Sequence, residues 1–323
     1  MKLIVQIPCH NEAETLPSVL RDIPKEIPGI DIIEVLVIDD GSSDATFVVA
    51  RENGATHVLR NRGNKGLART FQAGIDYALG AGADIIVNTD GDNQYSGASI
   101  PDLVAPLLEH KADIVIGDRV PGDNMLFSRS KRLLQRLGSF VVRRLARVDV
   151  ADAVSGFRAY TREAALTINV MTTFSYTTET LIHAGQAGLK IVSVPIDVNV
   201  VERPSRLFQS TSVFVRKQIA TILRSYVMYR PLAAFMTIGL VMLAIGAIPA
   251  LRFLYFYSIG DGEGRIQSLI LGSVFLIAGY FTLIIALLSD AMATNRRLTE
   301  RALSRLRQLE LRFASTKQED NLP

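Results

Sequence analysis

Residues 83–94 read ADIIVNTDGDNQ, a short apolar run that ends in two aspartates separated by one glycine. Similar β-branched runs lie at residues 1–8 (MKLIVQIP), 34–40 (EVLVIDD) and 113–117 (DIVIG). Such near-continuous apolar runs are typical of strands buried on both faces of a parallel sheet. Segments with helical length and spacing separate them, at residues 14–25, 44–53, 66–79 and 101–111. This alternation predicts an open α/β sheet.

Polar segments follow three of these predicted strands, at residues 8–12, 39–44 and 90–94. Each segment alone is compatible with an ordinary turn. Open α/β sheets bind ligands at the carboxyl ends of their strands, and all three segments stand at such ends. Together they predict a ligand site at one edge of the sheet.

Composition excludes several classes of protein. The chain has 323 residues, 35 Lys and Arg against 32 Asp and Glu, and a net charge of +3, so neither a basic nucleic-acid-binding arm nor an acidic tail dominates it. Apolar residues make up 48 %, which is too many for a disordered chain. A single cysteine excludes an intrachain disulfide framework and a multi-cysteine zinc site, and it favours a reducing compartment for the soluble part.

The last third of the chain carries two long uncharged segments, residues 232–251 and 266–289. At about 1.5 Å per residue, either one is long enough to cross a hydrocarbon core of roughly 30 Å. The alternative is a pair of buried core helices. The short, glycine-rich connection at 258–265 (SIGDGEGR) favours a transmembrane hairpin with spans at about 232–255 and 266–289.

Basic residues flank the hairpin on one side. Arg216, Lys217, Arg224 and Arg230 precede the first span, and Arg296, Arg297, Arg301, Arg305, Arg307 and Arg312 follow the second. The hairpin side has only Arg252 and Arg265, beside Asp261 and Glu263. By the positive-inside rule, the N-terminal domain and the C-terminus are predicted to be cytoplasmic.

The predicted organisation is therefore a soluble domain at 1–210, a juxtamembrane amphipathic helix at 211–231, the hairpin at 232–289, and a tail helix with a disordered end at 290–323. The amphipathic segment suits a helix in the headgroup layer, although an ordinary surface helix fits its pattern equally well. In the tail helix, apolar residues recur at a spacing that allows self-association. A homo-oligomer is accordingly one further expectation.

Three motifs carry chemistry. Asp90 and Asp92, one residue apart at a strand end, can share Mg²⁺ or Mn²⁺, and Gln94 adds a neutral oxygen. The acidic pair Asp39 and Asp40 can accept hydrogen bonds from a nucleobase and a ribose, while a residue at 42–44 caps the next helix. The loop at 61–66 (NRGNKG) precedes a helix and offers positive charge to a diphosphate, but it matches neither a Walker loop nor GxGxxG.

The order of these motifs resembles a family-two glycosyltransferase with the GT-A fold, an open mixed sheet similar to a Rossmann fold. The resemblance is to the branch with dolichyl-phosphate mannosyltransferase and bacterial polyprenyl-phosphate glycosyltransferases. The matching motifs are Pro8-x-x-Asn11-Glu12, Asp39-Asp40-Gly41-Ser42-x-Asp44-x-Thr46, Gly63-x-x-Gly66-x-Ala68, Asp90-x-Asp92-x-Gln94, Gly117-Asp118-Arg119, Asp152-x-x-Ser155-Gly156-Phe157-Arg158 and Arg203-x-Ser205-Arg206. The chain departs from the family pattern at His10, where tyrosine is frequent, and at Tyr95-Ser96-Gly97, where the family has Pro-Pro.

The resemblance implies roles for individual residues. It implies a donor nucleotide-sugar site at Pro8, Glu12, Asp39, Asp40, Lys65, Asp90 and Gly91. It implies a Mg²⁺ or Mn²⁺ site at Asp90, Asp92 and Gln94. It implies that the acceptor phosphate is bound by residues among Arg119, Arg129, Arg203 and Arg206. The catalytic set that it implies is Asp92, Arg119, Asp152 and Arg203. Asp152 is not assigned as a base, and orienting the sugar or the acceptor-side arginines is an equal alternative for it.

The expected function is that of a membrane-anchored inverting glycosyltransferase. It would move a sugar from a UDP- or GDP-sugar to dolichyl or undecaprenyl phosphate, with a divalent metal and no nucleic-acid partner. The acceptor phosphate is already an anion at neutral pH, so a strong general base is not required. The alternatives are transfer to another lipid acceptor and a catalytically silent scaffold. Absence of tryptophan argues against a processive synthase, because those enzymes usually carry a QxxRW segment.

Overall fold

The computed structural model describes residues 1–119, 150, 152–170, 176–199, 224, 226–228, 230–260 and 266–319, the side chains of 311–312 and 314–319 excepted. Arg129, Arg203 and Arg206 lie outside the described residues, as does nearly all of the amphipathic segment predicted at 211–231. The chain divides into two compact units. One comprises Met1–Val215 with Leu303–Pro323, and the other comprises Arg216–Ala302.

The first unit is built on a seven-stranded mixed sheet. Its strands are β1 (Lys2–Cys9), β2 (Ile32–Asp39), β3 (His57–Arg60), β4 (Ile85–Asn88), β5 (Ile114–Asp118), β6 (Arg158–Thr161) and β7 (Ile191–Pro195), in the order β3-β2-β1-β4-β6-β5-β7. All pairs are parallel except those of β6, which runs antiparallel to β4 and β5. The four strands predicted from apolar runs are confirmed. β3, β6 and β7 were not predicted. β3 and β6 each carry an arginine within four residues, and the apolar run of β7 was not selected.

Helices cover both faces of the sheet. In this unit they are α1 (Leu16–Asp22), α2 (Thr46–Glu52), α3 (Leu67–Gly80), α4 (Ile100–Leu108), α5 (Arg162–Thr167) and α6 (Tyr176–Ala187). Alternate residues of β1 face opposite sides, so Ile4 packs in one apolar cluster with Phe71 of α3, and Val5 packs in the other with Leu103 of α4. Each fully buried side chain of this kind contributes about 1.5–3 kcal/mol to folding.

The second unit contains an apolar helix pair. The helices are α7 (Pro231–Ser258) and α8 (Ile266–Glu319), and both are long and apolar enough to span a membrane. α8 continues without a break beyond residue 289, where the sequence predicted the end of the span, and its C-terminal segment from Leu303 belongs to the first unit.

Glycines set the distance between α7 and α8. A Cβ on Gly246 would lie 2.8 Å from the carbonyl oxygen of Gly272, and a Cβ on Gly239 would lie 3.1 Å from that of Gly279. Each helix therefore offers two glycines, seven residues apart, at which the backbones approach closely. Such close approach is how apolar helices associate in a lipid environment, where no hydrophobic force drives them together.

Candidate active site

The three polar segments predicted to converge do so at the carboxyl edge of the sheet. β1 lies between β2 and β4 and is parallel to both. Cys9 at the end of β1 is in register with Asp39, and Gln6 is in register with Asn88, two residues before Asp90. Pro8 is buried within β1, next to Ile38 of β2. The segments at 8–12, 39–44 and 90–94 thus start side by side.

The loop after β1 is fastened to the loop after β2. The backbone N–H of Asn11 donates to Ser42 Oγ at 2.9 Å, and Asn11 Oδ1 accepts from the Ser43 N–H at 2.8 Å. Next to it, the Glu12 N–H donates to Thr46 Oγ1 at 2.8 Å. Asn11 has φ of +58°, a left-handed conformation that asparagine tolerates better than most residues. These bonds direct the Asn11-Glu12 pair towards the acidic segments.

Asp40 holds the glycine-containing loop in front of α3. Its Oδ1 accepts from the N–H of Lys65 at 2.9 Å, and its Oδ2 accepts from the N–H of Gly66 at 2.9 Å. Both carboxylate oxygens are therefore engaged by the loop, and the predicted contact of Asp40 with a nucleotide stays a prediction. A Cβ on Gly41 would lie 2.5 Å from the carbonyl carbon of Gly63, and Gly41 has φ of +69°, so only glycine fits there.

A small cavity opens beside Asp39. Asp39 is fully buried, its Oδ1 accepts from the Ser42 N–H at 2.8 Å, and its Oδ2 lies 3.2 Å from Arg60 Nε. The guanidinium carbon of Arg60 lies 5.0 Å from the ring centroid of Phe47. The cavity has a volume of about 360 Å³ and is lined by Gly41, Ser42, Arg60, Asn61 and Arg62. Sequence analysis missed Arg60, since it ends β3, a strand that the apolar pattern did not indicate.

Asp90 is a half-buried carboxylate among like charges. Burial raises its pKa to about 7, Asp92 and Glu12 add to the rise, and the positive charge of Arg119 opposes it. Thr15 Oγ1 lies 2.7 Å from the carbonyl oxygen of Gly91 and 3.0 Å from Glu12 Oε2, and so joins the Asp90–Asp92 turn to α1.

This carboxylate pair fits a divalent cation. A half-buried pair of like charges is unfavourable by itself, and a cation between the two would remove the repulsion. Within the described residues no three carboxylates, imidazoles or thiols form a ready-made metal cage. Mg²⁺ and Mn²⁺ suit such an incomplete donor set, because they retain waters and take phosphate oxygens from a substrate. The side chain of Gln94 lies in the same turn, whose form is fixed by the Gln94 N–H donating to Asp92 Oδ1 at 3.1 Å.

Arg119 and Asp152 form an ion pair next to this turn. Arg119 Nε donates to Asp152 Oδ2 at 2.7 Å, and Nη2 donates to Oδ1 at 3.2 Å. The Val154 N–H also donates to Asp152 Oδ1, at 3.2 Å. Asp152 is 3 % exposed, so its two oxygens are committed to Arg119 and its own loop. Asp152 thus contacts an arginine, and its role in orienting that arginine stays a prediction.

A buried polar network fixes the segment from Asp152 to Arg158 in place. The guanidinium of Arg158, fully buried, donates to the carbonyl oxygens of Ala153 at 3.0 Å and Ser155 at 2.8 Å, and to that of Thr177 on α6 at 2.9 Å. Asn88 Nδ2 donates to the Gly156 carbonyl at 2.8 Å. The sequence motif contains Arg158, but only the fold reveals that its charge organises this loop.

Gly156 packs directly against Asp90. A Cβ at position 156 would lie 3.0 Å from Asp90 Oδ2 and 2.7 Å from the Tyr176 hydroxyl. The structure thus brings together Glu12, Asp39, Asp90, Asp92, Arg119 and Asp152, with Gly91 and Gln94 in the Asp90–Asp92 turn. Lys65 is exposed on the loop before α3.

A mixed α/β sheet with an aspartate pair at its carboxyl edge defines a glycosyltransferase of the GT-A type, and the comparisons with known proteins agree. Residues 4–168 match the model of Glycosyl transferase family 2, and the chain belongs to that family. It is a glycosyltransferase.

Two relatives and two solved structures illustrate the similarity. The chain is 30 % identical to the undecaprenyl-phosphate mannosyltransferase of Micrococcus luteus over 61 % of this chain and 83 % of the relative. It is 30 % identical to the polyprenol monophosphomannose synthase of Mycolicibacterium smegmatis over 60 % of this chain and 76 % of the relative. The glucosyl-3-phosphoglycerate synthase of Mycobacterium tuberculosis, crystallised with phosphoglyceric acid, is 26 % identical with a TM-score of 0.54 over 69 % of this chain and 79 % of that one. Its crystal with Mn²⁺ and uridine-diphosphate-glucose is 25 % identical, with a TM-score of 0.51 over 69 % and 78 %.

Proposed function

We propose that this glycosyltransferase is membrane-anchored, depends on a divalent metal, and transfers a sugar from a UDP- or GDP-sugar to a polyprenyl phosphate with inversion. The observation that carries the proposal is the ion pair of Arg119 and Asp152 beside the Asp90–Asp92 turn. Arg119 is a fixed cation that suits an acceptor phosphate. Asp90 and Asp92 form a carboxylate pair that suits a metal-bound diphosphate. Relatives named for undecaprenyl-phosphate mannosyl transfer and polyprenol monophosphomannose synthesis support this choice of acceptor.

The donor site would lie along the edge formed by β3, β2, β1 and β4. Arg60, which contacts the buried Asp39, lines the cavity, and its guanidinium would donate hydrogen bonds to the edge of a nucleobase. Asp90, Asp92 and Gln94 would hold Mg²⁺ or Mn²⁺, which when bound neutralises the charge of the departing diphosphate. The solved structure with Mn²⁺ and uridine-diphosphate-glucose supports a metal of this kind.

The reaction needs alignment more than proton transfer. A phosphate acceptor is already an anion, so attack on the anomeric carbon requires no strong base, and a single displacement inverts the configuration of that carbon. Asp152 is engaged with Arg119, which supports a role in orienting it. Arg119 would hold the acceptor phosphate in line with the anomeric carbon, and this positioning removes much of the entropic cost of the encounter.

The two apolar helices give the enzyme access to a lipid acceptor. Ile248 of α7 and Leu287 of α8 are 69 % and 64 % exposed, an unfavourable arrangement in water but a favourable one in lipid. A polyprenyl tail leaves the bilayer at a cost of about 0.8 kcal/mol for each CH₂ group. The enzyme therefore has to meet the phosphate at the headgroup layer, and we propose that the basic flanks of the spans keep the catalytic domain and the C-terminus cytoplasmic.

The test uses the full chain in detergent or nanodiscs with a polyprenyl phosphate, Mg²⁺ or Mn²⁺, and labelled UDP- and GDP-sugars. We expect label in the organic phase, lost on chelation and in Asp92→Ala, and retained in Asp102→Ala, which removes an exposed carboxylate on α4. Anomeric NMR of the product should show inversion. Binding of a nucleotide-sugar without a polyprenyl product would favour another lipid acceptor, and absence of binding would favour a silent scaffold.

A further inference from the structure

Tyr95 lies under the guanidinium of Arg119. It is 4 % exposed and directly follows the Asp90–Gln94 turn. The guanidinium carbon of Arg119 is 5.9 Å from the centroid of the Tyr95 ring, within the range of a cation–π contact. Asp152 binds the edge of the same guanidinium at 2.7 Å. Arg119 is therefore bound along one edge by Asp152, and its guanidinium carbon lies over the ring of Tyr95.

The Tyr95 ring is itself fixed in place. It stacks on Phe157, with ring centroids 5.1 Å apart and an angle of 20° between the planes. Its hydroxyl accepts a hydrogen bond from the Gly156 N–H at 3.1 Å, and its backbone forms an isolated antiparallel bridge with Val198. Burial raises the pKa of Tyr95 to about 12, so the phenol is neutral at physiological pH. Because stacking, a hydrogen bond and a backbone bridge all fix the Tyr95 ring, the ring can impose one orientation on the guanidinium of Arg119.

We propose that Tyr95 is a positioning residue for Arg119, and that the face of its ring fixes the plane of the guanidinium that receives the acceptor phosphate. This proposal rests on the proposed function, in which Arg119 binds that phosphate. A planar guanidinium can bind phosphate through two parallel hydrogen bonds only when its plane is set correctly. Tyr95 thereby couples the metal-site turn to the acceptor side, because it directly follows the turn in the chain and supports the arginine.

The first experiment varies the ring without changing its shape. Tyr95→Phe keeps the ring and loses the bond to Gly156, so kcat should fall by no more than about threefold. Replacement of Tyr95 by difluoro- and trifluorophenylalanine weakens the negative face of the ring. Across the series the kcat/KM for the acceptor should fall by roughly tenfold, with the KM for the nucleotide-sugar and the melting temperature unchanged. A flat series would overturn the proposal.

The second experiment does not depend on the acceptor or on activity. Phenylglyoxal modifies accessible arginines, and mass spectrometry can follow Arg119 in the full chain in detergent. Tyr95→Leu should raise the rate of Arg119 modification at least fivefold. The matched control is Tyr160→Leu, which removes a fully buried tyrosine from the other apolar cluster and should lower the melting temperature without changing that rate.

The two experiments separate this inference from the proposed function. Wild-type chain that transfers no sugar to polyprenyl phosphate, together with faster modification of Arg119 in Tyr95→Leu, would refute the acceptor and keep the positioning role. Transfer by the wild type, with equal modification rates in Tyr95→Leu and Tyr160→Leu, would refute only the role of Tyr95.

Discussion

Arg119 and Asp152 are 33 residues apart in the chain, yet their side chains meet through two N–O contacts of 2.7 and 3.2 Å. Both residues are largely buried, so each compensates a charge that would otherwise be costly in this position. The pair fixes the direction of the guanidinium and engages both oxygens of the carboxylate. The part of the site that we propose for the acceptor is therefore organised before any substrate binds.

Replacing Asp152 by asparagine tests this arrangement. Asp152→Asn keeps the shape but removes the charge that orients Arg119, so kcat/KM for the acceptor should fall by roughly 10- to 100-fold. We propose that Asp152 orients Arg119 and is not a base, so the acidic limb of the pH–rate profile should persist in the variant. Loss of that limb would assign proton abstraction to Asp152 instead.

The close packing of Gly156 against Asp90 predicts a sensitive position. A methyl group there would lie 3.0 Å from Asp90 Oδ2, and either the carboxylate or the loop has to move. Gly156→Ala should weaken the apparent affinity for Mn²⁺ and lower kcat, by roughly tenfold each. The control is Gly80→Ala at the end of α3, where a Cβ would meet no atom within 4 Å and activity should be retained. Equal activity in both variants would contradict the packing argument.

The raised pKa of Asp90 predicts a pH-dependent stability for the metal-free protein. Its folded-state pKa is about 7, against about 3.9 for an unperturbed aspartate. Between these two pKa values, Asp90 is protonated in the folded state and ionised in the unfolded state. The free energy of unfolding therefore falls as the pH rises from about 4 to about 7, and this contribution no longer changes at higher pH.

Asp90→Asn removes this dependence. In EDTA the variant should melt near the wild-type temperature at pH 5 and above it at pH 8, although its transferase activity is lost. Thermal unfolding followed by circular dichroism across this pH range measures the difference. A difference that does not change with pH would show that Asp90 is already charged in the folded protein.

The glycine contacts between α7 and α8 predict that a large side chain is not tolerated at these glycine positions. A Cβ on Gly246 would lie 2.8 Å from the Gly272 carbonyl oxygen, so Gly246→Leu should force the helices apart and lower the melting temperature by several degrees. Ala244→Leu, two residues away at an exposed position, should have little effect. Equal melting temperatures for the two variants would count against close packing of the pair.

Membrane orientation can be tested with introduced cysteines. The native Cys9 is buried and burial raises its pKa, so its background reaction with maleimide should be low. In intact cells, an impermeant maleimide should label Ser258→Cys at the end of α7 and should not label Thr299→Cys on α8. Permeabilisation should expose Thr299→Cys. The reverse labelling pattern would invert the predicted topology.

Local signals in the sequence predicted much of the fold. Four strands, four helices and two apolar helices follow from periodicity and length, and all are present. The three strands that were not predicted were missed for different reasons. β3 and β6 have four residues each and carry Arg60 and Arg158, so their apolar pattern is interrupted. β7 (IVSVP) does carry an apolar run, which the sequence analysis did not select. β6 also runs antiparallel, which is decided by its pairing with β4 and β5.

The candidate site was predicted in outline, because its acidic residues also give a local signal in the sequence. Acidic residues at strand ends are visible in the sequence, and the parallel order of β2, β1 and β4 brings them together. Arg60 and Tyr95 were not selected. An arginine ending a short strand and a tyrosine after a turn carry no local signal of function.

By itself, the sequence determined the class of the enzyme, the acidic pair at the end of β4, and the apolar helices of the second unit. These properties depend on residue type and spacing along a few turns or strands. Only the tertiary structure decided which charges are partners: Asp40 with the loop before α3, Asp152 with Arg119, and Arg119 with the face of Tyr95. The physical reason is that these contacts join segments tens of residues apart, whose meeting depends on strand order and on packing across the whole sheet.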